Sequence, residues 1–269
     1  MNRQPIGVFD SGLGGLTTVK QLHRLMPNED IIYFGDTGRV PYGSRSRSLL
    51  RKYTAQDMHF LMQHNVKMVI AACGTVSSTS SDLGDRLPVP FTGIIPPAAR
   101  AAVQATRNGR IGVIATAATV ASGAFPEKIR QLNPDLAVMQ QPCPLFVPLV
   151  EGGFTAPDDP ITVAVAHRYL DSLRETGVDT LILACTHYPI IAPIIRQVMG
   201  SSVTLIDSGA ETARWATETL NARDLRTDGT AGTTSYYVTD RVQSFEQVGG
   251  LFLGEELTGD VYHVDVDAL

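Results

Sequence analysis

The sequence has few cysteines, and their spacing argues against two common uses of that residue. Cys73, Cys143 and Cys185 are an odd number spread over 269 residues, so they do not form the framework of a disulfide-stabilised protein. No two of them show the short spacing of paired zinc ligands. This usage predicts free thiols in a reducing compartment, and we expect a cytoplasmic protein.

Membrane and nucleic-acid signals are missing as well. No apolar stretch has the length of a transmembrane helix, and the opening residues MNRQPIGVFDSG contain no apolar signal region. The formal net charge is −5 without any run of basic residues, so neither nucleic acid nor a membrane is an expected partner. A content of 43% hydrophobic and 18% charged residues is typical of a folded globular protein, and 269 residues suffice for two α/β domains.

Lysines are scarce, and the sequence offers no clear site for an organic cofactor. None of the four follows the end of a predicted strand, where a Schiff-base lysine would be expected; they are Lys20, Lys52, Lys67 and Lys128. The glycine-rich loop at 10–15 is similar to a phosphate-binding loop but lacks a Walker lysine, and its Asp10 would repel a phosphate. We therefore expect neither an organic cofactor nor a metal.

Short apolar runs rich in Val and Ile alternate with longer amphipathic stretches. The apolar runs predict strands at 6–9, 31–34, 68–72, 111–114, 181–184 and 203–206. They are continuous rather than alternating in polarity, which is typical of parallel strands buried on both faces. The amphipathic stretches at 15–26 and 49–64 predict helices, so the expected class is α/β with helices on both sides of a sheet.

The two halves of the chain echo one another. IGVFDSG at 6–12 is followed later by IGVIATA at 111–117, and MVIAACGT at 68–75 by TLILACTH at 180–187. Any two α/β halves share apolar strands, which is the alternative explanation. Both halves, however, place a cysteine followed within two residues by a threonine at the end of a strand. This match favours two similar α/β lobes that face one another.

The placement of Cys73 and Cys185 suggests a chemical role. Ligands of open α/β sheets bind at the carboxyl ends of strands, and two facing lobes would bring both thiols to opposite sides of one cleft. We expect a helix to begin after each cysteine, with N-caps from the serines at 77–81 and with Pro189 and Pro193 in an early turn. Each helix N-terminus would lower the pKa of its thiol. One thiolate could then remove a proton from a carbon while the other thiol returns one to the opposite face.

Other interpretations of the cysteines remain. A single cysteine at a strand end is often a small buried hydrophobe, and we assign that structural role to Cys143. Cys73, Cys185 and His187 could instead supply three ligands to zinc. A non-catalytic, two-lobed amino-acid-binding protein would have the same shape, although binding alone requires neither cysteine.

Six motifs, taken together and in order, are more specific than any one of them. They are GVFDSGLGGLT at 7–17, FGDTGRVPYGSRS at 34–46, AACGTVSS at 71–78, CPLFVPLVEGG at 143–153, LACTHYPII at 183–191 and LIDSGAETA at 205–213. With these motifs the chain closely resembles the bacterial glutamate racemases of the aspartate/glutamate racemase superfamily over essentially its whole length. The resemblance implies two pseudo-symmetric α/β domains, each with a mostly parallel sheet flanked by helices, and an active site between them.

The resemblance also implies a domain division and a reaction. Residues 1–97 and 209–269 would form the lobe that carries Cys73, and residues 98–208 the lobe that carries Cys185. The expected reaction is cofactor-independent conversion of L-glutamate to D-glutamate for peptidoglycan, and hence for cell-wall biogenesis and cell shape. A related racemase acting on aspartate or another amino acid is the alternative, and the sequence leaves open whether the chain forms a homodimer.

The family's functional residues can be carried over by position. Its catalytic cysteines correspond to Cys73 and Cys185, its assisting acid–base residues to Asp10 and His187, and a further carboxylate to Glu151. The implied substrate contacts are Asp10, Ser11, Tyr42, Gly43, Gly74, Thr75, Thr116, Thr119, Thr186 and His187. Hydroxyl and backbone donors suit the carboxylates of an amino acid, and a carboxylate suits its ammonium. Alternatively, Ser11 and Thr119 only cap helices and Tyr42 only closes a turn after Pro41.

Two positions depart from the family pattern. Gly74 stands where the family has asparagine after the first cysteine, and Pro96 stands where it usually has glutamate. Gly74 removes a side-chain amide from the expected substrate pocket, so we expect weaker or altered substrate binding there. Pro96 is expected near the crossing between the two lobes.

Overall fold

The computed structural model describes residues 2–269 and contains two separate parallel β-sheets flanked by helices. Its strands are β1 (Ile6–Asp10), β2 (Ile31–Gly35), β3 (Met68–Ala71), β4 (Phe91–Gly93), β5 (Arg110–Ala115), β6 (Ala137–Pro142), β7 (Thr180–Leu183), β8 (Thr204–Asp207), β9 (Thr234–Val238) and β10 (Val261–His263). No helix in this described part of the chain is both long and apolar enough to cross a membrane.

The helices connect the strands and cover the sheets. They are α1 (Leu16–Leu25), α2 (Arg47–Gln63), α3 (Gly74–Thr79), α4 (Ile95–Ala105), α5 (Ala117–Ser122), α6 (Ala124–Leu132), α7 (Phe146–Glu151), α8 (Pro160–Glu175), α9 (Ala192–Met199), α10 (Ser208–Ala222) and α11 (Val242–Leu253). Short 3₁₀ turns occur at Thr37–Arg39, Tyr42–Ser44, Ser81–Arg86, Tyr188–Ile191 and Val266–Ala268. This confirms the predicted α/β class.

Each sheet takes its strands from a different part of the chain. The first sheet has the order β10-β9-β2-β1-β3-β4, and the second has the order β6-β5-β7-β8. All pairings are parallel, so every strand of a sheet ends at the same edge. Asp10 ends β1 and Cys73 follows β3, and these two strands are hydrogen-bonded neighbours. Cys185 likewise follows β7, which pairs with β5.

All six strands and both helices expected from the sequence are present, with ends that differ by one or two residues. Four strands were missed: β4, β6, β9 and β10. The expected helix after Cys73 is α3, but Cys73 itself occupies its N-cap position, so the prediction that the following serines cap it is wrong. Pro189 lies in a 3₁₀ turn and Pro193 in the first turn of α9, so the helix after Cys185 starts later than expected.

The chain passes from the first sheet to the second between β4 and α4. Helix α4 packs against α6 and β7, and Ile94 provides its N-cap. Pro96 lies in the first turn, where the amide that proline lacks would have no partner inside the helix. The departure at Pro96 is therefore compatible with the helix start at this crossing.

A buried ion pair joins four segments of the chain near the amino ends of the strands. The ammonium of Lys67 donates to Glu29 Oε2 at 2.5 Å and to the carbonyl of Asn2 at 3.0 Å. Glu29 also accepts from Arg226 Nε at 3.1 Å and from the amide of Thr227 at 2.9 Å. The Lys67 side chain is thus engaged at the start of β3, at the opposite end of that strand from Cys73.

We expect Lys67→Met to destabilise the protein by about 3–5 kcal/mol, because it leaves the buried carboxylate of Glu29 without its nearest cation. The free energy of unfolding in urea measures this loss. Arg51→Met is the matched control: its partner Asp82 is exposed, so water screens the pair and the loss should stay below about 1 kcal/mol. Equal losses in the two variants would contradict the structural role of the buried pair.

Candidate active site

A cavity of about 510 Å³ lies where the carboxyl ends of the two sheets meet. Most of the residues expected to form the site line it: Asp10, Ser11, Tyr42, Gly43, Cys73, Gly74, Thr75, Thr116, Glu151, Cys185, Thr186 and His187. The exception is Thr119, which is fully buried behind Thr116 and is not part of the lining. The size of the cavity suits a small-molecule ligand. Segments that follow strands of both sheets form its walls.

The loop after β1 folds around the carboxylate of Asp10. Asp10 Oδ2 accepts from the amides of Gly12 at 3.2 Å and Gly15 at 3.1 Å. Burial raises the pKa of Asp10, against the lowering effects of the positive charge of His187 and of the two amides. The amides that would hold a phosphate are thus occupied by Asp10, as its position in the sequence suggested. Asp10 Oδ1 has no hydrogen-bond partner within residues 2–269.

Cys73 lies in an environment that favours the neutral thiol. Its sulfur is 3.6 Å from Ser11 Oγ, and only 6% of the residue is exposed. Burial raises the pKa of Cys73 to about 12, and the charge of Asp10 adds to this effect. The amide of Val76 in α3 acts in the lowering direction but is outweighed. The helix N-terminus thus acts in the expected direction, but the expectation of a net lowered pKa at this thiol is wrong.

Cys185 has a cation as its neighbour instead. Its sulfur is 3.8 Å from Nδ1 of His187, and Nε2 of His187 is 3.0 Å from Glu151 Oε1. Burial alone would lower the pKa of His187, but its hydrogen bonds to Cys185 and Glu151 outweigh this effect and raise it to about 10. The ring also packs edge-on against Phe252, with 5.1 Å between centroids. At neutral pH an imidazolium therefore lies beside Cys185, whereas a carboxylate lies beside Cys73.

Hydroxyl groups from both sheets meet at one side of the cavity. Thr75 Oγ1 is 3.3 Å from Thr116 Oγ1, which in turn is 3.1 Å from Thr119 Oγ1. Thr116 caps α5 by accepting from the amide of Thr119, so the cap belongs to Thr116 rather than to Thr119. Ser11 caps no helix, because α1 begins at Leu16 and its N-cap residue is Gly15, which provides no side-chain cap. The alternative capping roles for Ser11 and Thr119 are wrong, and Thr119 lies behind the residues that line the cavity.

Tyr42 begins the 3₁₀ turn that follows Pro41, as its alternative interpretation expects, and it also borders the cavity. Its side chain is 2% exposed, and its hydroxyl donates to Asp36 behind the cavity wall. The hydroxyl proton is therefore committed to a protein acceptor, although Tyr42 lines the cavity. Neither Asp36 nor this contact was anticipated from the sequence.

The departure at Gly74 has a steric meaning that the sequence did not show. A Cβ atom at position 74 would lie 2.6 Å from the carbonyl oxygen of Ala184, the residue before Cys185 in the second sheet. A Cβ at Gly14 would similarly lie 2.1 Å from Thr186 Oγ1. These two glycines let the strand ends of the two sheets approach closely. An asparagine at position 74 would have to move Ala184. Gly74 therefore removes a side-chain amide from the cavity and also permits this close approach of the two backbones.

The zinc alternative is not supported by this geometry. Within residues 2–269, no group of three His, Cys, Asp or Glu side chains is arranged to hold a metal ion. Cys73 and Cys185 instead have separate partners, Ser11 and His187. Cys143 is fully buried, and its carbonyl accepts from the hydroxyl of Tyr188, which fits a structural role.

Comparison with known proteins points to one family. The Asp/Glu/Hydantoin racemase family model matches residues 13–216. A glutamate racemase of Geobacter metallireducens is 44% identical over 98% of this chain and 97% of its own. The crystal structure of glutamate racemase from Francisella tularensis in complex with D-glutamate superposes with a TM-score of 0.92 at 37% identity, covering 100% of both chains. That of Thermus thermophilus in complex with beta-chloro-D-alanine gives 0.89 at 41% identity, covering 99% of both.

We expect Gly74→Ala to open the cavity, because a buried methyl group against a backbone carbonyl typically costs about 1–3 kcal/mol when it must be accommodated. Alkylation of Cys73 and Cys185 by iodoacetamide, followed by peptide mass spectrometry, should become about tenfold faster. Gly43→Ala is the matched change in the same cavity: its Cβ meets nothing nearer than 3.9 Å, so alkylation should change little. An unchanged rate in Gly74→Ala would mean that Ala184 gives way locally.

Proposed function

The chain belongs to the Asp/Glu/Hydantoin racemase family, as an isomerase of the glutamate racemase group, and we propose that it interconverts L- and D-glutamate with Cys73 and Cys185 as its two bases. One observation carries the proposal. Two thiols, each following a strand of a different sheet, line one cavity and have neighbours of opposite charge. Inversion of a stereocentre requires a base on one face of the carbon and an acid on the other.

The proposed proton path starts from the two environments. Cys73 is the thiol at rest, and the imidazolium of His187 is the partner that a thiolate at Cys185 would take. The Cys185 thiolate removes the α-proton, the C–H electron pair moves toward the substrate carboxylate, and the Cys73 thiol delivers its proton to the opposite face. The sulfurs have then exchanged protonation states, and the other enantiomer is the substrate that reverses the step.

The lining supports an amino acid with two carboxylates. The unpaired Oδ1 of Asp10 is available to accept from the α-ammonium. No lysine or arginine occurs among the described lining residues, so hydroxyls, backbone amides and His187 are the donors for the carboxylates. The hydroxyls come from Ser11, Thr75, Thr116 and Thr186. The D-glutamate complex of the Francisella tularensis protein supports glutamate as the substrate.

We also propose the division of the chain into two lobes, residues 1–97 with 209–269 and residues 98–208. The first sheet draws its strands from 6–93 and 234–263, and the second from 110–207. The proposed boundaries fall near the start of α4 and of α10, where the chain leaves one sheet for the other.

A biological role follows from the proposed reaction. D-glutamate would be supplied for peptidoglycan, and so for cell-wall biogenesis and cell shape. The three cysteines are free, and a reactive thiol pair of this kind works only while reduced, which favours the cytoplasm.

A substrate panel tests the proposed function. Purified protein in reducing buffer with a strong chelator and no added cofactor should abolish the optical rotation of L-glutamate, and L-aspartate and L-alanine should react far more slowly. If aspartate is racemised faster than glutamate, aspartate is the substrate and the proposal of glutamate is wrong. Cys73→Ser and Cys185→Ser should each lose racemisation, while Cys143→Ala, whose residue is buried away from the cavity, should retain it. Racemisation at a near wild-type rate by either serine variant would exclude the two-base mechanism.

His187 gives the proposal a pH signature. Its pKa rises from 6.5 to about 10 on folding, so the stabilisation from its protonated form is complete below about 6.5 and disappears as pH rises toward 10. The difference in unfolding free energy between wild type and His187→Gln should therefore be largest at pH 6 and smallest at pH 10. His167→Gln removes a solvent-exposed partner of Asp171 and should show little such trend. A difference that stays constant with pH in His187→Gln would mean that His187 is not an imidazolium in the folded protein.

A further inference from the structure

A buried charged cluster lies directly behind one wall of the cavity. Arg39 donates from Nε to Asp36 Oδ2 at 2.6 Å and from Nη2 to Asp57 Oδ1 at 3.0 Å. Tyr42 donates to Asp36, and its hydroxyl is also 3.3 Å from Asp57 Oδ2. Both aspartates are fully buried, and Arg39 is 8% exposed. The cluster joins the segment after β2 to the middle of α2, and none of the proton-transfer steps above uses it.

The two aspartates of this cluster receive different numbers of hydrogen-bond donors. Asp36 receives donors on both oxygens, since Thr239 Oγ1 also donates to its Oδ1 at 2.9 Å. A phenol has one proton, and that of Tyr42 goes to Asp36. The Tyr42 hydroxyl therefore has no proton left to donate to Asp57 Oδ2, and their contact is a hydrogen bond only if Asp57 is protonated and donates to Tyr42. A protonated Asp57 also leaves one carboxylate for the one guanidinium, which avoids an unpaired buried charge.

The charged and titratable groups around Asp57 agree with this assignment. Asp36, Arg39 and Tyr42 face it from the segment after β2, and Asp10 adds a negative charge from β1. Burial, followed by the charge of Asp36, raises the pKa of Asp57 well above 3.8, although Arg39 opposes the shift.

The cluster holds the part of the chain that forms the cavity wall. Residues 40–43 all line the cavity, and Gly43 reaches the second sheet near Thr116. Arg39 at the start of this wall is further fixed by Gln56 Oε1 at 2.7 Å and by the ring of Tyr53. Within this wall Pro41 and Gly43 are exposed, and the buried residue that attaches it to the first sheet's side of the protein is Tyr42.

We propose that Asp57 is a positioning residue: as a neutral acid it donates to Tyr42, and the hydrogen bonds that continue to Asp36 and Arg39 fix residues 40–43 as a wall of the substrate cavity. This inference rests on the proposed racemisation and deepens it. It assigns to Asp57 an effect on substrate binding without contact with the substrate.

Isosteric substitutions separate the two aspartates. Asp57→Asn keeps an acceptor for Arg39 and a donor for Tyr42, so its KM for L-glutamate should stay within about twofold of wild type. In Asp36→Asn the side-chain NH2 group faces a hydrogen-bond donor, and in Asp57→Leu the hydrogen bonds to Arg39 and Tyr42 are lost. Both variants should raise KM about tenfold while kcat falls less than about threefold. Hydrogen exchange of residues 36–46 should quicken in Asp36→Asn and Asp57→Leu, and not in Asp57→Asn.

The outcomes distinguish this inference from the proposed function. A wild-type protein that does not racemise glutamate refutes the function, and the exchange measurement, which needs no substrate, still tests Asp57. If hydrogen exchange and KM rise as much in Asp57→Asn as in Asp36→Asn, Asp57 acts as a carboxylate and the inference is wrong. It is equally wrong if Asp57→Leu folds with unchanged exchange and KM. Should Asp57→Leu fail to fold, the comparison of the two asparagine variants decides.

Discussion

The structure depends on one steric constraint: strand ends from two separate sheets approach each other so closely that a Cβ atom does not fit between them. A single sheet cannot do this, because its strands end side by side and present their side chains to one face of a ligand. Here Cys73 and Cys185 come from different sheets, and the backbones between them nearly touch at Gly74 and Ala184. Gly14 permits a second close approach at Thr186. The absence of side chains at these two positions therefore lets the segments that carry the thiols approach each other.

Close backbones also need rigid supports, and these come from buried polar groups. The loop after β1 is fixed by Asp10, whose carboxylate binds two of its amides, and from below by Tyr33, which donates to the carbonyl of Gly12 at 2.7 Å. The hydroxyl of Thr17 donates to the carbonyl of Thr186 at 3.0 Å and so links α1 to the second sheet. Each support satisfies a buried donor or acceptor, so moving one of them would cost a hydrogen bond as well as a packing contact.

What the sequence predicted follows from how each residue is buried. Strands such as β1, β3, β5 and β7 are covered on both faces and appear as continuous apolar runs. The missed strands β4, β6 and β10 are at sheet edges, and β6 is only partly buried, so its polar residues hid it. The two cysteines stood out by their placement at strand ends, whereas Asp10 and His187 entered as acid–base residues only through the resemblance to the family. The raised pKa of Cys73 could not be predicted from the sequence, because burial and the nearness of Asp10 arise only in the folded chain. Asp57 did leave a signal, an acid at helical spacing from the buried Leu50 and Leu61.

The opposite surroundings of the thiols raise a question about the second half of the proposed cycle. After one turnover Cys73 would carry the negative charge beside the carboxylate of Asp10, which is the less favourable arrangement in the empty cavity. The substrate itself can change this balance. An α-ammonium bound to the unpaired Oδ1 of Asp10 neutralises that carboxylate and removes its repulsion from the Cys73 thiolate. Asp10 would then act through charge as well as position: while the cavity is empty its charge adds to the effect of burial and raises the pKa of Cys73, and that added effect is lost once an amino acid is bound. Such a change brings the two protonation states of the thiol pair closer in energy, so that neither state becomes a stable form from which the next proton transfer would be slow.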